Sequence, residues 1–150
     1  MKKILIVEGN LKDENLNFSR AGIQTHTESL IESLNYFNKK LELDIINPSS
    51  DENIDIIKDK LIMYDGLIWG GSSLNIYNNT IEIKKQIDFM KECQKKVKNI
   101  LAICRGMQVA VTAAGGEVKK TDKPHIGLSL IHIGRCHRLL ADGARWERGE

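Results

Sequence analysis

Compact apolar runs alternate with longer segments of mixed polarity along this chain, and the two patterns predict different elements. The runs at 3–7, 66–69 and 99–103 are typical of strands buried on both faces of a sheet. Residues 41–46 alternate between apolar and polar side chains and stop at Asn47-Pro48, which indicates a further strand followed by a turn. The pattern therefore predicts four strands.

Helical periodicity marks the segments between and after these strands. Their apolar residues recur at helical spacing among charged residues that would face solvent. Helices are predicted at 24–37, with a Thr25–Glu28 capping box; at 50–61, with acidic residues in the first turn; at 80–96, with Ile83, Ile87 and Met90 on one face; and at 106–114. Strand and helix thus alternate four times.

This alternation predicts an α/β fold, a three-layer sandwich whose mostly parallel, flavodoxin-like sheet carries helices on both faces. We expect the sheet to be incomplete at the C-terminus. Ligands of such sheets bind beyond the carboxyl ends of the strands. Glu8-Gly9, Gly70-Gly71 and Cys104 all follow strands, so we expect them to share one edge of the molecule.

Length and charge limit the classes of function. A chain of 150 residues is one ordinary domain or part of one, and its net charge of +2 with no long charged tail argues against nucleic acid or membrane as a partner. The apolar run after Lys2-Lys3 is too short for a signal peptide or a membrane span. Three scattered cysteines without a CxxC pair favour neither a disulfide framework nor a metal site. We therefore expect a cytoplasmic location.

The composition changes near the end of the chain. Every lysine lies at or before Lys123 and every asparagine at or before Asn99, whereas most arginines fall in the last sixteen residues. We therefore divide the chain into a domain at 1–128 and an atypical tail at 129–150, which we interpret as foreign or out of frame. No role is assigned to His132, Cys136 or His137.

Cys104 lies where the last apolar run meets the last helix. A thiol at such a strand–helix junction is lifted above the sheet edge, and the helix N-terminus favours its thiolate form. A lone cysteine in an apolar stretch is also commonly a small buried hydrophobe, and the pattern alone leaves both interpretations open. Cys93 is interpreted as an incidental surface or half-buried thiol, and His26 as a surface or capping neighbour. The first strand leads into no phosphate-binding loop, so no nucleotide cofactor is expected.

A family resemblance favours the interpretation of Cys104 as a nucleophile. The stretch AICRGMQVAVTAAGGEV resembles the cysteine elbow of class I glutamine amidotransferases, with Cys104, Gly106 and Gln108 at the positions of Cys-x-Gly-x-Gln. DGLIWGGSSLNIYN at 65–78 is similar to the family's oxyanion loop. The likeness is to the free-standing, GMP-synthase-like members and covers about residues 1 to 128.

The resemblance implies hydrolysis of the side-chain amide of L-glutamine, or of another γ-glutamyl compound, with Cys104 as nucleophile. It implies that the main-chain N–H groups of Arg105 and Gly71 hold the oxyanion. It also implies that Gly70, Gly106 and Gln108 contribute to the substrate site. The ammonia would pass to a synthase partner or be released, and no cofactor or metal is implied.

Two departures from the family pattern matter. Arg105 follows the nucleophile, and its long cationic side chain over the pocket is expected to alter the fit of the substrate. The family's general base is a histidine in a downstream His-x-Glu pair, and His125, His132 and His137 are each followed by other residues. We therefore expect this chain to be C-terminally truncated and nearly inactive, although its family is enzymatic.

Two other functions remain compatible with the motifs. A γ-glutamyl peptide or amine hydrolase would use the same elbow, because the scissile γ-carbonyl is the same. A non-catalytic, flavodoxin-like binding domain would bury Cys104 in its core.

Overall fold

Four parallel strands form the sheet that the apolar runs predict. The computed structural model describes residues 1–120 and Asp122. Its strands are β1 (Lys2–Val7), β2 (Leu41–Ile46), β3 (Gly66–Trp69) and β4 (Ile100–Ala102), in the order β2-β1-β3-β4. All three strand pairs are parallel, which confirms the predicted α/β class. The proposed tail at 129–150, and the histidines at 125, 132 and 137, lie outside the described residues.

Five α-helices connect or follow these strands within the described residues. They are α1 (Lys12–Arg20), α2 (His26–Phe37), α3 (Ile54–Lys60), α4 (Ile81–Lys96) and α5 (Arg105–Ala113). Short 3-10 turns occupy Leu61–Met63 and Ile76–Asn78. Helix α4 packs against both α3 and α5, whereas α2 contacts β2. None of these described helices is both long enough and apolar enough to cross a membrane.

Two helices differ from the prediction. Helix α1 was not predicted, because it has no buried residue and so lacks the apolar stripe that marks the other helices. Helix α3 begins at Ile54 rather than at residue 50. The preceding segment forms a turn instead, in which the Asp51 carboxylate accepts a hydrogen bond from the Asn47 N–H at 2.6 Å.

One face of the sheet is buried in the core, whereas the other is buried at β1 and exposed at Ile45 of β2 and Leu101 of β4. The run at 99–103 is therefore not buried on both faces, contrary to what its apolar pattern predicted. Leu5, Val7, Leu67 and Trp69 alternate along their strands and join one core cluster with residues of α4 and α5. Ile6 points to the opposite face and is also fully buried. Burial of this size, about 2 kcal/mol for each large apolar side chain, fixes the register of the strands and therefore where each one ends.

Cys93 is not the surface or half-buried thiol that the sequence suggested. It lies on the inner face of α4, fully buried within the core cluster. Burial raises the pKa of its thiol to about 12. The lysines near Cys93 in sequence suggested an exposed position, but they lie on the outer face of α4, whereas the buried apolar stripe of this helix extends to Cys93. Cys93 is therefore a structural residue and is protected from reagents in solution.

Gly106 lets α5 lie directly on the end of β3. A methyl group added at Gly106 would lie 2.5 Å from the main-chain O of Trp69 and 2.9 Å from its Cδ1. This carbonyl cannot move away freely, because it accepts a hydrogen bond from the Ile103 N–H at 2.9 Å. Any side chain at position 106 would therefore push α5 away from the sheet.

We expect Gly106→Ala to lower the free energy of unfolding by about 3 kcal/mol, since the added methyl must displace bonded main chain. Urea denaturation followed by circular dichroism measures the change. Gly70→Ala is the matched control, because a methyl group at Gly70 meets no atom within 4 Å. An equal midpoint for the two variants would show that α5 does not depend on this close approach.

Candidate active site

The carboxyl ends of three strands meet at one edge of the sheet. Val7 pairs with Trp69, and Trp69 pairs in turn with Ala102, so β1, β3 and β4 end at the same level. Glu8, Gly70 and Cys104 therefore emerge side by side, as the strand pattern predicted.

Cys104 forms the turn between β4 and α5. Its φ of 53° and ψ of −115° are close to those of the first central residue in a type II′ turn, a position that glycine normally occupies. The Gly106 N–H closes the turn by donating to the Ile103 carbonyl at 2.9 Å. The side chain of Cys104 makes no capping hydrogen bond with α5 and is exposed. Burial of Cys104 in the core, on which the binding-domain interpretation depends, is therefore wrong.

Two main-chain N–H groups at this edge have no acceptor in the part of the chain that the structure describes. Arg105 is the first residue of α5, where an N–H has no intrahelical partner. Within the described residues, neither the Arg105 N–H nor the Gly71 N–H donates a hydrogen bond. Arg105 directly follows Cys104, and a methyl group placed on Gly71 would lie 3.9 Å from Cβ of Cys104. Their role as oxyanion donors stays a prediction.

Gly71 lies close to both Cys104 and the imidazole of His26. A methyl group at Gly71 would lie 3.9 Å from Cβ of Cys104 and 4.0 Å from Cε1 of His26, which are ordinary contact distances. Cys104 and His26 therefore flank the same point of the loop that follows β3. No functional role was expected for His26, since no local signal in the sequence connects α2 with this loop.

His26 is held by its neighbours rather than by its own polar atoms. Thr25 caps α2 by accepting from the Glu28 N–H, and Thr27 donates to the Glu8 carboxylate at 2.6 Å. Both threonines are buried, whereas His26 between them is exposed. Its ring makes an edge contact with Phe18 of α1, with the ring centroids 6.2 Å apart.

A buried polar chain lies beneath the elbow. Arg105 is 2% exposed, and its guanidinium donates from Nη1 to Oε1 of Gln86 at 2.8 Å. Gln86 in turn donates from Nε2 to the Gly9 carbonyl at 2.9 Å and to Oγ of Ser49 at 2.8 Å. This chain of bonds joins α5 through α4 to the loops after β1 and β2. Gln86 lies on the buried face of α4 with other core residues. A polar residue at this position of the apolar stripe is the one sequence signal that could have predicted these buried hydrogen bonds.

The placement of Arg105 corrects one expectation. Its cationic side chain does not extend over the pocket, because it runs inward to Gln86 and is almost fully buried. Burial lowers the pKa of the guanidinium to about 10. Its Nε and Nη2 have no hydrogen-bond partner among the described residues. Arg105 therefore supports the turn from below, and only its main chain borders the thiol.

The remaining predicted site residues lie around the same edge. Gly70 is half-buried at the end of β3, and Gln108 is half-buried one turn into α5. Gly106 is buried against Trp69, so the structure gives it a packing role, and its predicted contact with substrate stays a prediction. Among the described residues, no group of His, Cys, Asp and Glu side chains is arranged to hold a metal ion.

A parallel α/β sheet with an exposed cysteine at a strained strand–helix turn is the arrangement used by α/β enzymes that employ a cysteine nucleophile. The family model for glutamine amidotransferase class-I matches residues 23–143. The chain belongs to the class I glutamine amidotransferase family.

The curated relatives are named either as hydrolases of γ-glutamyl compounds or as GMP synthase subunits. Over 116 residues the chain is 28% identical to a γ-glutamyl-L-1-hydroxyisopropylamide hydrolase of Pseudomonas sp., a match that covers 77% of this chain and 39% of that protein. Over 103 residues it is 30% identical to a glutamine-hydrolyzing GMP synthase subunit from Sulfurisphaera tokodaii, covering 68% of this chain and 50% of that protein. The chain thus spans half or less of the length of these relatives.

A solved structure supports the fold alone. A Bacteroides thetaiotaomicron protein that carries the name protease I superposes with a TM-score of 0.52 over 80% of this chain and 72% of that protein. The sequence identity is 15%, so the likeness extends to the architecture and no further.

The geometry of Cys104 predicts an unusual order of stabilities. Cys104→Gly should be more stable than Cys104→Ala by about 1 kcal/mol, because alanine keeps the Cβ that the positive φ disfavours. At an unstrained position glycine is the less stable of the two. Equilibrium urea unfolding of both variants measures the difference, and the ordinary order, with alanine more stable, would mean that the turn stores no strain.

Proposed function

We propose that Cys104 is the nucleophile that hydrolyses the side-chain amide of L-glutamine. The observation that carries this proposal is the exposed thiol at a strained turn, facing Gly71 across the edge of the sheet, in a chain of this family. Strain of about 1–3 kcal/mol is retained only where the surrounding structure supports it, and it commonly marks functional residues. The Arg105–Gln86 chain and the Gly106 contact provide this support.

The reaction consists of two acyl transfers. The thiolate of Cys104 attacks the γ-carbonyl carbon, and the carbonyl oxygen becomes an oxyanion between the Arg105 and Gly71 N–H groups. The C–N bond then breaks, the departing nitrogen takes up a proton and leaves as ammonia, and a γ-glutamyl thioester remains on Cys104. Water adds to the thioester, the C–S bond breaks, and glutamate leaves with the thiolate restored.

Proton transfer is the step that this chain performs poorly. In the family that the motifs resemble, the histidine of a His-x-Glu pair downstream of the cysteine moves these protons. The one His-x-Glu in this sequence, His26-Thr27-Glu28, precedes Cys104, and none of the histidines after Cys104 is part of such a pair. A missing general base costs about 10²–10⁴-fold in rate. We propose that the chain binds its substrate and presents a reactive thiol but turns over slowly.

A synthase is the acceptor class that the relatives favour for the ammonia. One relative carries the name of a glutamine-hydrolyzing GMP synthase subunit, so we propose that a separate synthase polypeptide consumes the ammonia. A cytoplasmic location, expected from the scattered cysteines, is part of this proposal.

A glutamine-like electrophile tests the nucleophile. We expect 6-diazo-5-oxo-L-norleucine to label Cys104 at a rate that saturates with reagent concentration, with loss of N₂ and formation of a thioether. The buried Cys93 should stay unlabelled. Intact-mass kinetics followed by peptide mapping measure the rate and the site. Cys104→Ser should abolish labelling at this site, and L-glutamine should slow labelling of the unmodified chain.

Labelling that rises linearly with reagent concentration and is not slowed by L-glutamine would contradict the proposal. It would indicate an accessible thiol without a binding site for the glutamyl group.

A γ-glutamyl amine hydrolase is the second candidate, favoured by the name of the Pseudomonas relative. The γ-glutamyl group is common to both candidates, and only the leaving group differs. The exposure of Cys104 leaves the thiol accessible to a substrate with a bulky leaving group.

Protection against alkylation distinguishes the two candidates without requiring turnover. Iodoacetamide labelling of Cys104 is measured with increasing L-glutamine or γ-L-glutamylethylamide, and the half-protecting concentrations are compared. For a glutaminase site, the half-protecting concentration of L-glutamine should be about tenfold lower than that of the alkylamide. Loss of one buried polar contact when the alkylamide binds would account for this ratio. Stronger protection by the alkylamide would favour the second candidate.

A further inference from the structure

We propose that His26 binds the α-carboxylate of the γ-glutamyl substrate whose γ-carbonyl is held at Cys104. This role rests on the proposed function and adds a residue that lies in neither the cysteine elbow nor the predicted oxyanion loop. His26 would be a substrate-binding residue and would take no part in attacking the amide.

The first support is the position of the ring. Cβ of Cys104 and Cε1 of His26 lie near the same point, at 3.9 and 4.0 Å from a methyl group placed on Gly71. The ring atom nearest to Gly71 is Cε1, the carbon bonded to both nitrogens of the imidazole. A molecule bound at the thiol therefore lies beside the polar edge of the ring.

The second support is that the imidazole has unused hydrogen-bonding capacity. Among the described residues, neither ring nitrogen of His26 has a hydrogen-bond partner, and no carboxylate forms an ion pair with it. The ring is nevertheless restrained by its edge contact with Phe18. A donor that is already oriented costs little entropy when it binds a ligand.

The third support is the way the main chain is anchored. Thr25 and Thr27 are buried and hydrogen-bonded on either side of His26, and Thr27 is bonded to Glu8 at the end of β1. His26 is also the first residue of α2, where the helix dipole favours an anion. The position is therefore fixed to the sheet edge, while the side chain itself contributes no hydrogen bond to the described fold.

The chemistry of the substrate fits this placement. Glutamine, γ-glutamyl amines and γ-glutamyl peptides differ at the leaving group, but each keeps a carboxylate on the α-carbon of the glutamyl part. With the γ-carbonyl at Cys104, that carboxylate must reach a donor near the thiol. His26 is the only histidine among the described residues, and it borders the thiol.

The test compares two ligands, with and without the α-carboxylate, in the unmodified chain and in a His26 variant. Protection of Cys104 against iodoacetamide is measured with L-glutamine and with L-glutaminamide, which replaces the α-carboxylate by a neutral amide. We expect His26→Ala to raise the half-protecting concentration of L-glutamine about tenfold and to leave that of L-glutaminamide unchanged. His26→Gln, which keeps an N–H donor, should recover part of the loss.

Controls separate this role from others. In Asn35→Ala, which changes an exposed residue of the same helix, the half-protecting concentrations of both ligands should equal those of the unmodified chain. Urea midpoints should show that every variant is folded. Equal weakening of both ligands, or none, would overturn the role of His26. A slower alkylation rate without ligand in His26→Ala would also overturn it, since the imidazole would then act on the thiol. If L-glutamine gives the unmodified chain no protection, the proposed function fails, and this role fails with it.

Discussion

The site depends on how closely α5 approaches the end of β3. Side chains normally hold a helix away from a sheet, and the lone hydrogen at Gly106 removes that separation locally. With the helix this close, the chain has only two residues, Ile103 and Cys104, in which to leave β4 and begin α5. The positive φ of Cys104 follows from this short connection, and so does the exposure of its sulfur.

Burial of polar groups keeps this edge rigid. Arg105, Gln86 and Glu8 are almost fully buried, and each is hydrogen-bonded to a neighbouring element. An unpaired buried polar group costs about 1–3 kcal/mol, so these bonds strongly favour one arrangement of the loops. Arg105 still has two unpartnered nitrogen atoms in the described structure, which makes it the least satisfied member of the set. The edge that carries the thiol is thus specified by polar contacts as well as by the apolar core.

Much of the fold could be predicted from the sequence, because each strand is a compact apolar run and the core helices have a regular apolar stripe. The strand bounds of β3 and the Thr25–Glu28 capping box were predicted correctly. Helix α1 was missed because nothing on it is buried, and Cys93 was misjudged because lysines surround it in sequence but not in space. The site was only partly predictable. The motifs predicted that Cys104 and Gly71 would lie at one edge of the sheet, and the structure brings them together there. The inward course of Arg105 and the proximity of His26 depend instead on long-range contacts that no local pattern encodes.

The bond between Thr27 and Glu8 has a consequence for how such a protein can diversify. It fixes the backbone at the start of α2 independently of which side chain stands at position 26. The sulfur, by contrast, owes its setting to α5 and β3, on other stretches of the chain. In the proposed site, exchanging residue 26 would therefore change which substrates are bound and leave the surroundings of Cys104 intact, so substrate preference could evolve with little loss of folding stability.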